Sequence, residues 1–178
     1  FYERKEIKDI IAYLRIIQNS SDNLSLRRII NEPKRGIGKT SLEKIELLAE
    51  QNETSMYEII KNADQYGLNR VFLNSREFIN VIEELKNKKD DMTISELIKV
   101  TLKKTGYTKS LEDEKTIEAE NRIENLEEFL TVAIEFEEEN AENTLSKFFK
   151  WIFRRNYTII RYRQCRRNRR ISNTYDIT

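Results

Sequence analysis

Apolar residues return along this chain at intervals of three and four, the spacing that gathers them on one side of an α-helix. Ile7, Ile10, Ile11, Leu14 and Ile17 define the first such face, and Asn19-Ser20-Ser21-Asp22-Asn23 follows as a loop of turn and cap formers. Leu24, Leu26, Ile29 and Ile30 make a second helical stretch; Leu42, Ile45, Leu48 and Ala49 make a third. Ser55 and Glu58 have capping-box spacing for a short helix carrying Met56, Ile59 and Ile60, which Gly67-Leu68 breaks. A helix from about Arg70 to Lys86 is predicted to bury Val71, Phe72, Phe78, Val81, Ile82 and Leu85. Thr93 and Glu96 box another, with Ile94, Leu97, Ile98 and Leu102 inside, ending at Gly106. From about Ile117 a long helix turns Ile123, Leu126, Leu130, Ala133 and Ile134 inward and ends in the acid run Glu135 to Glu139, broken only by Phe136. No segment alternates with the period of two that a half-buried strand requires, and no heptad persists. The pattern predicts an all-α fold, an irregular orthogonal helical bundle.

Between the second and third stretches lies Asn31-Glu32-Pro33-Lys34-Arg35-Gly36-Ile37-Gly38-Lys39-Thr40-Ser41. Pro33 cannot continue a helix, because it lacks the N–H and its ring clashes with the preceding turn. Gly36 and Gly38 offer backbone freedom on either side of one apolar residue, Ile37, which is predicted to plug between the helices. Thr40 and Glu43 have the spacing of a capping box for the next helix. The stretch reads as helix, tight hairpin, helix. Free N–H groups at a helix start attract anions, and Lys34, Arg35 and Lys39 stand around them with no acid between Lys34 and Leu42. Lys34, Arg35, Gly36, Ile37, Gly38, Lys39 and Thr40 are therefore the candidate DNA-binding residues, the anion being a backbone phosphate. The bland alternative is an αα-turn with solvated charges. Gly38-Lys39-Thr40 imitates the end of a P-loop, but Pro33 occupies the position of that motif's first glycine, and a helical pattern precedes it where a buried strand is required.

Composition narrows the chemistry. The 178 residues suffice for one domain with a real core. Histidine is absent, which removes the usual general base and the commonest metal ligand. The single Cys165 supports neither a disulfide framework nor a cysteine metal cluster and fits a reducing, cytoplasmic setting. No apolar run is long enough to span a bilayer, so no membrane partner is expected. The chain opens at Phe1, in what reads as the approach to a helix, and is expected to be a piece of a longer protein. A net charge of +1 hides an asymmetry. Residues 151–178 hold eight Arg, no Lys and one acid, leaving 24 basic and 30 acidic residues in 1–150, where Lys outnumbers Arg sixteen to eight.

Three separated stretches carry a resemblance. Phe1-Tyr2-Glu3-Arg4-Lys5-Glu6-Ile7-Lys8-Asp9, with Ala12-Tyr13-Leu14-Arg15, resembles the segment leading into the 2B subdomain of UvrD/PcrA-type superfamily 1 DNA helicases. Ile29-Ile30-Asn31, then Pro33 to Gly38, is similar to that subdomain's Gly-Ile-Gly hairpin, a helix-hairpin-helix-like motif. Thr116-Ile117-Glu118-Ala119, then Arg122-Ile123-Glu124-Asn125-Leu126, resembles its Arg-x-Glu-Asn-Leu helix. The resemblance covers residues 1 to about 147, with 1–17 leading in from the motor. It implies a bacterial ATP-dependent 3′–5′ DNA helicase of repair and replication, whose hairpin grips duplex DNA ahead of the motor, independently of sequence. The P-loop and Mg²⁺ carboxylates lie outside this chain in such enzymes, so ATP and Mg belong to the parent protein and no cofactor to this fragment. Arg122 and Asn125 are either residues that brace the hairpin or ordinary surface charge, with Glu118 and Arg122 an i,i+4 pair.

Residues 148–178 depart from the family, which has an acidic segment there followed by a strand. Back-translated with A/T-rich codons and shifted by a single base, Arg161-Tyr162-Arg163-Gln164-Cys165 becomes Asp-Ile-Asp-Asn-Val, the arginine runs become glutamate runs, and Ser172 to Ile177 becomes a Val-Ile-Leu-Met-Thr strand. A frameshift near Phe149–Trp151 and a poorly ordered tail are expected. The rival is a genuine basic arm binding nucleic acid, arginines interleaved with tyrosines. Two other function classes stand beside the helicase: a stand-alone, non-enzymatic helix-hairpin-helix DNA-binding module, and a helical protein-interaction domain using its acidic face.

Overall fold

The computed structural model describes residues 1–156 and 158. All but one of the elements follow the hydropathy: α1 (Lys5–Gln18), α2 (Asn23–Ile29), α3 (Lys39–Gln51), α4 (Met56–Lys61), α5 (Asn69–Lys88), α6 (Ile94–Lys104), α7 (Tyr107–Glu114) and α8 (Ile117–Glu139). A last helix, α9, covers 145–156, and no strand occurs among the described residues. The starts are written in capping chemistry. Asp22 accepts from Ser25 N–H at 3.0 Å, Ser55 from Glu58 N–H at 3.2 Å and Thr116 from Ala119 N–H at 3.1 Å, while Thr93 and Glu96 close a full capping box. Each such cap satisfies an N–H that the first helical turn leaves without a partner.

The centre is α1, which packs against α2, α5, α6 and α8. The sequence pattern gives α1 one apolar face, yet Ile7, Ile10, Tyr13, Leu14, Ile16 and Ile17 are all fully buried, and so are Glu6 and Asp9 on the same helix. Four neighbours enclose most of it, so burial covers all but a stripe of Lys5, Lys8, Arg15 and Gln18 that stays exposed. Fully burying an aliphatic side chain of this size is worth about 1.5–3 kcal/mol, which makes α1 the element the fold depends on most. On one side, α2, α3 and α4 pack with α5; on the other, α6, α7 and α8 form a second group.

Three expectations need correction. The segment Tyr107–Glu114 is a helix that the hydropathy did not reveal, because its buried residues are only Tyr107 and Leu111, too few to register a period. Ile134, expected inside, is 42% exposed, since α8 turns Val132, Ala133 and Phe136 to the core at that level. The boundary drawn at residue 147 falls within α9. Phe148 is fully buried, Ile152 is buried, and the Phe148 ring lies 5.2 Å from Phe136 and 5.9 Å from Phe129 of α8. Trp151 packs edge-on to Phe136 at 5.6 Å and donates its indole N–H to Glu139 at 3.0 Å. Phe153 is 69% exposed, while Arg155 lies 4.9 Å above the Trp151 ring and pairs with Glu135 of α8 at 2.6 Å. The expected disorder and frame change of the tail lie, for residues 157 and 159–178, outside the described residues.

Candidate nucleic-acid interface

The hairpin joins the end of α2 to the start of α3, and one polar side chain shapes it. Asn31 Oδ1 accepts from the Ile37 N–H at 3.0 Å and from the Arg35 N–H at 3.4 Å, while Asn31 Nδ2 donates to the Ile37 carbonyl. A side-chain amide thus replaces backbone pairing across the loop. Beneath it Ile37 is buried to 1% exposure, the plug that the spacing predicts. Gly36 sits at φ +72°, a conformation that L side chains resist, and a Cβ there would stand 3.1 Å from Asn74 Nδ2 of α5. Gly38 differs. Its φ of −78° and ψ of 177° are ordinary extended backbone, and a Cβ would meet nothing within 4 Å. The loop's conformational demand for glycine therefore falls on Gly36 and not on Gly38.

The helix start also differs from the capping-box expectation. Gly38 is the N-cap of α3, its carbonyl accepting from Leu42 N–H at 3.0 Å, so Lys39 and Thr40 already lie in the first turn and no side chain caps it. The extended ψ of Gly38 aims its carbonyl along the helix two residues earlier than the Thr40–Glu43 spacing suggested. As a result the N–H groups of Gly36, Gly38, Lys39 and Thr40 have no acceptor among the described residues. They sit at the positive end of the α3 dipole, whose first turn carries no acid. Lys34, Lys39 and Thr40 are exposed, and neither lysine has an ion pair among the described residues.

Arg35 behaves differently from the two lysines. Its guanidinium donates to the carbonyls of Ile29 and Ile30, both at 2.9 Å, and to the Tyr13 hydroxyl at 2.8 Å, and it lies 4.8 Å above the Phe78 ring. It closes the C-terminal carbonyls of α2 and ties the hairpin to α1 and α5, a strut beside the loop and not a free charge on it. The Tyr13 hydroxyl in turn donates to the Glu32 carbonyl. Burial pushes the Tyr13 phenol up, against the lowering effect of Arg35 beside it, so it stays protonated and able to donate.

A second network anchors the hairpin's base. Asp9 is 1% exposed; its Oδ2 accepts from the Tyr107 hydroxyl at 2.7 Å, and Arg28 Nε stands 2.9 Å from its Oδ1. Lys5 lies 3.7 Å from Asp9 and 2.9 Å from Glu32 of the hairpin. Arg28 is close but misaligned for a hydrogen bond, which leaves Asp9 Oδ1 without one. Burial raises the Asp9 carboxyl above its ordinary range, outweighing the lowering by Tyr107, Lys5 and Arg28. Across the two helices Arg27 of α2 pairs with Glu46 of α3 at 2.6 Å.

Comparison with known sequences identifies the lineage that carries this hairpin. A sequence profile of the UvrD-like helicase C-terminal domain matches residues 1–165. The chain belongs to the UvrD-like helicase C-terminal domain family. It is 46% identical over 149 residues to the ATP-dependent DNA helicase PcrA of Bacillus subtilis strain 168, a match covering 83% of this chain and 20% of that protein. It is 45% identical over 139 residues to proteins of the same name from Staphylococcus epidermidis ATCC 12228 and Staphylococcus aureus COL, covering 78% of this chain and 19% of each. The chain thus spans about a fifth of the length of the curated relatives it matches.

Within this UvrD-like domain, Arg122 and Asn125 do not reach the hairpin. Arg122 pairs with Glu118 at 2.6 Å, the i,i+4 surface pair of the bland reading. Asn125 Nδ2 donates to the buried Glu6 at 2.6 Å and its Oδ1 accepts from Arg4, so it holds the approach to α1. The residues that do brace the hairpin, Tyr13, Asn31, Asp9 and Phe78, were not singled out from sequence. One signal was available: Tyr13 stands one turn after Asp9 and is flanked by the apolar Ile10, Ile11, Ala12 and Leu14, and a polar group buried among such neighbours needs a partner. No helix among the described residues is long and apolar enough to cross a membrane. The Gly38-Lys39-Thr40 triplet follows a helix and a hairpin, so it lacks the strand that a P-loop cradle is built on.

Proposed function

We propose that this UvrD-like domain is the 2B subdomain of an ATP-dependent DNA helicase and that its hairpin, a helix-hairpin-helix-like unit, grips duplex DNA through the phosphate backbone. The observation that carries the reading is the group of four N–H donors without acceptors, on Gly36, Gly38, Lys39 and Thr40, flanked by the exposed and unpaired Lys34 and Lys39. Backbone donors at a helix start suit a phosphate oxygen, and the two ammonium groups add charge. Arg35 and Ile37 serve by holding the loop's shape. Such contacts hold no base information, so binding is independent of sequence.

The motor, with ATP and Mg, belongs to the rest of the parent protein, and this chain alone hydrolyses nothing. Among the described residues no group of acids or cysteines is arranged to hold a metal ion. Residues 148–178 lie partly inside the family match, which runs to residue 165, and we propose a change of frame within them. Their arginines without a single lysine after Lys150 support a changed reading frame near Phe149–Trp151. The test is affinity for duplexes of unrelated sequence. Equal affinities, all weakened by the same factor in Lys34→Ala, support backbone gripping; affinities that follow base sequence overturn it.

A further inference from the structure

A concavity of about 450 Å³ lies between α6, α7 and α8, far in sequence from the hairpin. Its floor is Leu102 of α6 and Ile123, Leu126 and Leu130 of α8. The apolar strip does not stop at the cavity. One helical turn beyond Leu130, Ile134 continues it at 42% exposure. From Ile123 to Ile134 the strip runs roughly 16 Å along α8 at the helical rise, the length of three turns of a second helix and more than a compact small molecule needs.

The edges of this groove differ in charge. On the α6 edge Lys99 and Lys103 stand one turn apart, both exposed and neither with an ion pair among the described residues. The α8 edge offers Glu127, on a helix with nine glutamates and one arginine, and α7 adds Glu112 together with Lys109, which Asp113 holds at 2.8 Å. Two unpaired cations over an apolar floor, in a body whose first 150 residues are net acidic, form a local complement to carboxylates.

We propose that this groove docks an amphipathic helix of a separate partner protein, with aliphatic side chains at i, i+4, i+7 and i+11 set on the floor and glutamates along one flank facing Lys99 and Lys103. This is helix-in-groove recognition, in which the apolar anchors provide affinity and the flank charge sets orientation. Four leucines at that spacing span roughly 16 Å, the distance from Ile123 to Ile134. An opposite arrangement, with carboxylates against Glu127, is disfavoured by like charge.

The probe is a fluorescein-labelled helical peptide of about four turns with leucines at those positions, glutamates on one flank and lysines on the other, titrated by fluorescence anisotropy into the 178-residue chain. Lys99→Glu with Lys103→Glu is expected to weaken binding about tenfold, and a peptide carrying lysine on both flanks is expected to regain it on that variant. Ile134→Gln, at a position already exposed and so harmless to folding, is expected to weaken the original peptide several-fold. Three results overturn the proposal: no change in either variant, which places the peptide elsewhere; light scattering that shows a dimer of this chain dissociated by Lys99→Glu with Lys103→Glu, which makes the occupant a second copy; or loss of duplex DNA affinity in that same variant, which makes the edge a nucleic-acid contact. Failure of the hairpin reading leaves this test unaffected, since the two surfaces share no residue.

Discussion

Arg35→Lys separates a strut from a phosphate contact, because it keeps the charge and removes the planar fork. The guanidinium makes two bonds to the Ile29 and Ile30 carbonyls at 2.9 Å and one to Tyr13 at 2.8 Å, from two nitrogens facing different acceptors. An ammonium at the end of a flexible stem retains one of these. Losing two, at about 1–2 kcal/mol each, costs about 2–4 kcal/mol, to which the weakened contact with Phe78 adds a fraction. For a chain of this size each kcal/mol moves the thermal midpoint by about 2–4 °C, so a fall of roughly 4–16 °C is expected. Circular dichroism melts and urea midpoints of the full chain measure it. A variant that melts within a degree of the parent would refute the strut, since a surface charge swap costs less than about 0.5 kcal/mol.

Gly36→Ala and Gly38→Ala are expected to part company: the first loses about 1–2 kcal/mol, because φ is +72° there, and the second stays within about 0.5 kcal/mol, because φ is −78° and space is open; urea denaturation distinguishes them. Asp9 has a folded carboxyl raised above its ordinary value of 3.8, so the folded state binds its proton more readily than the unfolded chain. Acidification from above the raised value toward 3.8 therefore adds stability at this group, and Asp9→Asn should remove that gain; an Asp9→Asn chain whose urea midpoint changes with pH just as the parent's does would contradict it. The isolated chain should show no DNA-stimulated ATP hydrolysis, and hydrolysis abolished by Lys39→Ala would overturn the assignment of the motor to other residues. Sequencing the locus across the Phe149 codon should reveal a frame change; an uninterrupted frame would make the arginine tail genuine.

The helices were legible wherever three or more apolar residues shared a face, as in α5 and α8, and their starts wherever Ser, Thr or Asp could cap. The segment of α7 was hidden because two buried residues set no period. At the hairpin, the plug by Ile37 and the exposure of Lys34 and Lys39 followed from local spacing. The role of Arg35 did not, since its partners Tyr13 and Phe78 are 22 and 43 residues away and adjacency of that kind is created by the fold. The glycines looked equivalent in sequence because either could have taken the left-handed conformation; the bond from Asn31 to Ile37 decides that Gly36 does. The partners of Asn125 were not legible either: helix packing aims it at Glu6 and Arg4 and not at the hairpin.

The central claim, that the hairpin holds duplex DNA by its phosphates, meets its most direct test in the salt dependence of binding. Each cation that neutralises a phosphate contributes about −0.9 to the slope of log K against log salt. Duplex affinity of the full chain is measured over a range of salt for the parent and for Lys34→Ala with Lys39→Ala. The eight arginines of residues 151–178 contribute equally to both chains, so the difference isolates the hairpin. The account predicts a slope shallower by roughly two in the double variant, with weaker binding to every duplex. The same affinity and the same slope in both chains would contradict it and leave the hairpin as a solvated turn between two helices.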